Sequence, residues 1–208
     1  MEIFFYNSIM NGGSFMVQVL KEELRQAIIR SAQDEFAQFG FAGTSMKRIA
    51  ALTGISVGNL YRYYKNKEDL FDSVISPVYH ELETLISNHH AQPHDQGNIF
   101  EVIVEALTNI VVEFRTPLLI LIDGARGTRN ENAVQNFYQM MADNAAMHLA
   151  DYSNKGGEGL NPQIAWPVSV AFLQGYFEII RLNEGAEDCK RMVRQYFLVW
   201  FQGLQAIL

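Results

Sequence analysis

The sequence predicts an all-α fold of about nine helices, with an N-terminal three-helix, helix-turn-helix domain and a longer helical domain behind it. Three observations carry this expectation. Apolar residues recur at three- and four-residue spacing along nearly the whole chain, the stripe an α-helix buries. Ser, Thr or Asn stands where several stripes begin and Gly where two of them end, matching the cap chemistry of each terminus. No segment alternates convincingly with the period of two that a half-buried strand needs.

In chain order, residues 1–18 are expected to form a disordered or extraneous tail. Asn11-Gly12-Gly13 should break any helix there, and Met10 and Met16 both offer alternative starts. From Val19 to Phe39, Leu24, Ile28, Ala32, Phe36 and Phe39 form one amphipathic stripe, closed by Gly40. Thr44 or Ser45 caps the next helix, through Met46, Ile49, Ala50 and Leu52 to Gly54. Ser56 caps a third, from Val57 to about Tyr63, and Asn66 a fourth, with Asp69 three residues on. Pro77 should kink this fourth helix or mark a boundary. The His89 to Gly97 stretch reads as a loop, followed by a helix from Ile99 to Phe114, a short apolar one from Leu118 to Arg126, and a long one from Asn130 to Tyr152. Residues 153–161 read as a linker. Asn161-Pro162 opens a further helix, and Glu187 to Leu208 forms the last. The expected domains are 19–66, with the helix-turn-helix at about 45–64, and 67–208.

Charge narrows the function classes. The 208-residue chain carries −7 overall, but residues 21–71 sum to +2 and residues 72–208 to −8. A small basic end on an acidic body argues against indiscriminate polyanion binding and for one local contact surface. A single cysteine, Cys189, permits no disulfide within the chain, and no apolar run reaches the ~18 residues of a membrane helix. Both point to a cytoplasmic protein without a membrane partner. His89, His90, His94 and Asp95 sit in a Pro-containing loop with no second cluster at ligand spacing, so no metal and no cofactor are expected. No Ser-His-Asp spacing, carboxylate pair or phosphate-cradling glycine loop suggests an enzyme. Gly156-Gly157-Glu158-Gly159 lacks a preceding strand and a lysine.

The basic end concentrates in Thr44 to Leu70, which holds Lys47, Arg48, Arg62, Lys65 and Lys67 and no acid before Glu68. Gly54 can supply the positive φ of a sharp inter-helix turn, and Ile49, Ala50, Ile55 and Leu60 are apolar where two short helices must pack. If Val57, Leu60 and Tyr64 face inward, then Ser56, Gly58, Asn59 and Arg62 face outward. Asn59 suits adenine, Arg62 suits guanine or phosphate, and Gly58 permits close approach to a groove floor. Tyr61 and Tyr63 can donate to phosphates, and Lys47 and Lys67 lie at helix starts where phosphate is favoured.

The series Phe36…Gly40-Phe41…Thr44-Ser45…Ile49-Ala50…Thr53-Gly54-Ile55-Ser56-Val57-Gly58-Asn59-Leu60-Tyr61-Arg62-Tyr63-Tyr64…Lys67-Glu68-Asp69-Leu70 resembles the DNA-binding domain of TetR (tetracycline-repressor-like) transcriptional regulators over residues 20–80. Thr53 stands where alanine is more usual, Tyr64 where phenylalanine is, and Asn59 where a small threonine is common, which leaves base preference open at 59. The resemblance implies phosphate contacts from Thr44, Lys47, Tyr61, Tyr63 and Lys67, and base readout from Ser56, Gly58, Asn59 and Arg62.

It also implies a double-stranded DNA operator, a homodimer and a small-molecule effector held by a C-terminal ligand-binding and dimerisation domain. Phe114, Leu118, Leu121, Phe137, Met140, Met141, Trp166, Phe172 and Tyr176 are candidates to line an effector pocket. Their composition favours an apolar or aromatic molecule. Phe177, Ile180, Phe197, Trp200, Phe201 and Leu204 are candidates for the dimer interface, because the last helix is apolar on more than one face. The expected function is a ligand-released repressor. The alternative is an all-α ligand-binding or protein-interaction module whose helix-turn-helix no longer reads specific DNA.

Overall fold

A computed structural model describes residues 2–88, 99–154 and 161–205. The described residues form eight α-helices and no strand: α1 (Glu2–Gly43), α2 (Met46–Thr53), α3 (Val57–Tyr63), α4 (Lys67–Asn88), α5 (Ile99–Asp123), α6 (Ala133–Asn154), α7 (Ala165–Leu182) and α8 (Ala186–Gln205). A 3-10 turn, Pro162–Ile164, precedes α7, with Asn161 accepting from the Gln163 N–H as its cap. The chain divides into two compact units, a head (Met1–Val74) and a body (Ile75–Leu208).

Three features depart from the sequence expectation. Helix α1 runs back to Glu2, through Asn11-Gly12-Gly13, so the expected unstructured tail is helical there. Glycine in a helix costs only about 1 kcal/mol against alanine and forbids nothing sterically. The two expected helices at 99–114 and 118–126 form one element, α5, with a non-helical Phe114 (φ −127°, ψ 21°) marking the joint. Pro117 follows three residues later, and the ring's clash with the carbonyl four residues back belongs at such a joint. Finally, the head extends past residue 66 to Val74, because Leu70, Phe71 and Val74 are buried within it. The loop expected over 89–97, with His89, His90, His94 and Asp95, and the glycines at 156–159 lie outside the described residues.

The head is organised by one stripe of α1. Ile28, Ala32 and Phe36 are buried at four-residue spacing, while Phe39, expected on the same stripe, is 44% exposed. Phe36 meets Phe71 edge-on at 5.0 Å and stacks on Phe41 at 6.3 Å. Gly40 takes φ 62°, a non-helical break inside α1 where the sequence expects the first helix to close, so residues 40–44 form a connector between its long segment and α2.

In the body, α5 and α7 are joined at two points. Tyr176, fully buried, donates its hydroxyl to the Leu107 carbonyl at 2.8 Å, and burial pushes its pKa far above the ordinary tyrosine value. Arg115 donates to the carbonyls of Ile180 and Asn183, placing a cation at the C-terminal end of α7, where the helix dipole is negative. Asn144 of α6 donates to the Ile86 carbonyl near the end of α4. Tyr196 of α8 lies across Gly175 of α7, its hydroxyl 2.9 Å from the carbonyl oxygens of both Ala171 and Phe172. No helix of the described residues is long and apolar enough to cross a membrane.

Candidate nucleic-acid interface

The interface is built from two capped helices and the turn between them. Ser45, in extended backbone, accepts from the Arg48 N–H at 3.2 Å and starts α2. Gly54 closes it in the left-handed region at φ 74°, where its N–H reaches the Ala50 and Ala51 carbonyls. Two residues later Ser56 accepts from the Asn59 N–H at 3.1 Å and starts α3. Ile49, Ala50 and Leu60 are fully buried between these helices and α1, so the angle of α3 is set by apolar packing and the Gly54 turn together. Asn66 accepts from the Asp69 N–H at 2.7 Å and starts α4.

With Leu60 and Tyr64 inward, the other residues of α3 are sorted as on any helix. Gly58, Tyr61 and Arg62 are exposed, Asn59 and Tyr63 half-buried, and a methyl group added at Gly58 would meet open space. Ser56 is exposed, and with its oxygen accepting one bond as the cap of α3, its O–H is left to donate outward. Lys47, Lys65 and Arg62 are exposed cations. Lys65 was not among the residues expected to touch DNA, although its place in the basic run is the signal that could have named it.

Two of the expected phosphate ligands have other engagements. Thr44 is only 4% exposed, and its hydroxyl lies 2.8 Å from the Gly40 carbonyl and 3.0 Å from that of Glu35, so it faces the protein and not a phosphate. Lys67 donates its ammonium to the Phe41 and Thr44 carbonyls at 2.6 and 2.9 Å and stands 4.3 Å from the Phe41 ring centroid. Desolvation there lowers its pKa from the ordinary lysine value.

Arg48 shows the same inward use of charge. Its guanidinium pairs with the buried Glu35 carboxylate at 2.8 Å, donates to the Gly43 carbonyl at 2.6 Å and lies 4.5 Å from the Phe39 centroid. Sequence reading counted Arg48 only as part of the basic run and did not pair it with Glu35, thirteen residues away.

In the body, the nine pocket candidates differ in burial. Leu118, Phe137 and Tyr176 are fully buried core, Phe172 is buried with them, and Trp166 is exposed. Leu121 alone lines the described cleft, of about 410 Å³, together with Asp123, Arg126, Glu131, Gln174 and Arg181 among others. Asp123 pairs with Arg181 at 2.7 Å. This opening is polar, where composition suggested an apolar one; the large apolar side chains are consumed by core packing. Among the interface candidates, Phe177 and Ile180 are buried inside the body and cannot face a second subunit as placed. Phe197 is likewise buried, and Trp200 and Phe201 are half-buried. The Leu204 side chain lies outside the described residues. The outward apolar residues of α8 are instead Met192, Leu198 and Val199, the last 70% exposed.

A capped helix pair joined at a left-handed glycine, with a polar row facing out and cations beside it, defines a helix-turn-helix DNA-binding transcriptional regulator. Residues 28–74 match the family model of bacterial regulatory proteins, tetR family. The match lies within the head, and the tetR likeness is a property of that unit. The chain is 43% identical over 54 residues to the HTH-type transcriptional regulator RutR of Escherichia coli K12, a match spanning only 26% of each chain. To UidR of the same organism it is 24% identical over 196 residues, covering 92% of this chain and 94% of that one. The crystal structure of NalD from Pseudomonas aeruginosa, the secondary repressor of the MexAB-OprM multidrug efflux pump, shares the fold at a TM-score of 0.58 and 24% identity, covering 85% of this chain and 95% of that one.

Proposed function

We propose that this regulator is a cytoplasmic, homodimeric repressor, without enzymatic activity, that reads a DNA operator through α3 and is released by a small molecule held in the body. The observation that carries the reading is the outward row of α3. Gly58 is under no internal packing constraint, yet it is the residue that lets Asn59 and Arg62 approach a groove floor. Asn59 and Arg62 supply the donors and acceptors that match purine edges, with the free Ser56 hydroxyl beside them. Lys47, Tyr61 and Tyr63 hold the adjoining phosphates.

Apolar surface on α8 at Met192 and Val199 supports self-association, which would set two heads about 34–36 Å apart on DNA. Any effector that uses the cleft beside Asp123 and Arg126 carries polar groups.

Gel-shift titration against an operator selected from random duplexes tests the reading. Asn59→Ala is expected to cost about 1–3 kcal/mol on the preferred sequence and to flatten preference at one base position. Lys47→Ala is expected to weaken binding to every sequence and to reduce the salt slope by about 0.9. Absence of any salt-sensitive complex with the intact protein sinks the reading.

A further inference from the structure

The five cations between Thr44 and Leu70 are not equivalent. Connector 40–44 links α1 to α2, and four of its carbonyl groups are held by side chains. Gly40 O is approached by the Thr44 hydroxyl, Phe41 O and Thr44 O by the Lys67 ammonium, and Gly43 O by the Arg48 guanidinium. Arg48 is itself oriented by Glu35 of α1 and by the Phe39 ring; Lys67 packs against the Phe41 ring. These side chains start from α2 and α4, so the two cations tie three helices to one connector. Charge-assisted bonds of this kind are the strong ones, and an ammonium has three donors, two of which are already used here.

We infer that Lys67 and Arg48 are positioning residues, a carbonyl clamp that fixes where α2 enters and so how α3 is presented, while Lys47, Arg62 and Lys65 supply the charge that meets DNA. This rests on the DNA-reading function above. A phosphate ligand and a clamp make different predictions for Lys67. Removing a phosphate ligand lowers affinity for all sequences equally and reduces the slope of log K against log salt by about 0.9. Removing a clamp lets the reading helix shift. It lowers affinity for the selected operator by about ten-fold, the scale of one base contact, and leaves the slope on random DNA unchanged.

The experiment is Lys67→Met, with Lys47→Ala in parallel, titrated on the selected operator and on random duplex across a salt series. Amide hydrogen exchange of the DNA-free proteins is measured alongside. The clamp predicts an operator-to-random affinity ratio reduced about ten-fold at constant slope. It also predicts amides of residues 45–49 exchanging about ten-fold faster, the loss of a charge-assisted bond read as local opening. A slope reduced as in Lys47→Ala, or an unchanged affinity ratio, overturns the clamp. So does unchanged exchange at 45–49, whatever the DNA result. If the unaltered protein forms no salt-sensitive complex, the DNA reading fails while the exchange measurement still decides whether the connector is clamped. Lys67→Gln, which removes the charge and keeps an uncharged NH₂ donor group on a shorter arm, takes the same tests where Lys67→Met does not fold.

Discussion

Phe36→Ala is expected to destabilise the head by about 3–5 kcal/mol, the cost of a large cavity in a well-packed core. Phe36 is 1% exposed and sits where three helical segments converge, edge-on to Phe71 of α4 and stacked on Phe41 beyond the Gly40 turn. Phe41 and Phe71 also hold each other edge-on at 5.4 Å, so neither can relax into the space without giving up that contact. A domain typically has about 5–15 kcal/mol to lose, so the substitution should bring the head near its unfolding midpoint at 37 °C. Denaturant unfolding followed by circular dichroism measures it, and DNA binding should fall in parallel. Phe39→Ala, four-ninths exposed at the start, is the companion experiment and should cost roughly 1 kcal/mol or less, mostly through the Arg48 contact. Equal effects at the two positions would mean that the inward face of α1 has been misassigned.

Gly175→Ala is expected to cost about 1–3 kcal/mol, the usual range for overpacking. In exposed helix, that change would be stabilising by up to about 1 kcal/mol, so the sign itself is diagnostic. A methyl group at 175 would come within van der Waals overlap of the Tyr196 ring and hydroxyl. The ring cannot simply turn away. Phe172 and Trp200 flank it, at 5.8 and 6.1 Å between centroids, and its hydroxyl sits on the Ala171 and Phe172 carbonyls. Thermal unfolding of Gly175→Ala, Tyr196→Ala and the double variant closes a cycle. The double variant should be less destabilised than the two single effects added together, because without the ring there is nothing left to collide with. Simple additivity would refute the clash.

The parts of this molecule that were legible in the sequence are those whose determinants are local. Ser45, Ser56 and Asn66 mark helix starts because a side-chain oxygen two or three residues before an N–H is a short-range arrangement. Gly54 marks the turn because its φ excludes most other residues. The inward set Ile49, Ala50, Leu60 and Tyr64 follows from helical spacing alone.

What was not legible depends on long-range partners. Thr44 and Lys67 look like phosphate ligands in the sequence, yet both face backbone carbonyls, and a carbonyl acceptor leaves no mark in the residue that bears it. Phe177 and Ile180 were expected at a subunit surface. A helix apolar on several sides does not disclose which side its own subunit covers, and here both side chains are buried inside the body. The pocket candidates were hard to rank for a related reason: apolarity marks core and binding site alike, and the described cleft is lined largely by charged and amide side chains. Gly175 carried a signal that went unused, since a glycine inside an apolar helix often marks close approach by a neighbour.

The inward commitment of Lys67 and Arg48 bears on how this protein spends its time when it is not at its operator. On the proposed reading, with Arg62 committed to a base edge, Lys47 and Lys65 are the island's outward cations left for phosphate, and two contacts at about −0.9 each give a salt slope of only about −1.8 per head. An excess of eight negative charges over residues 72–208 opposes any further hold on the duplex. On that reading, grip on arbitrary sequence is shallow and brief, with frequent release and recapture. Lingering is reserved for the sites where α3 finds bases it can bond.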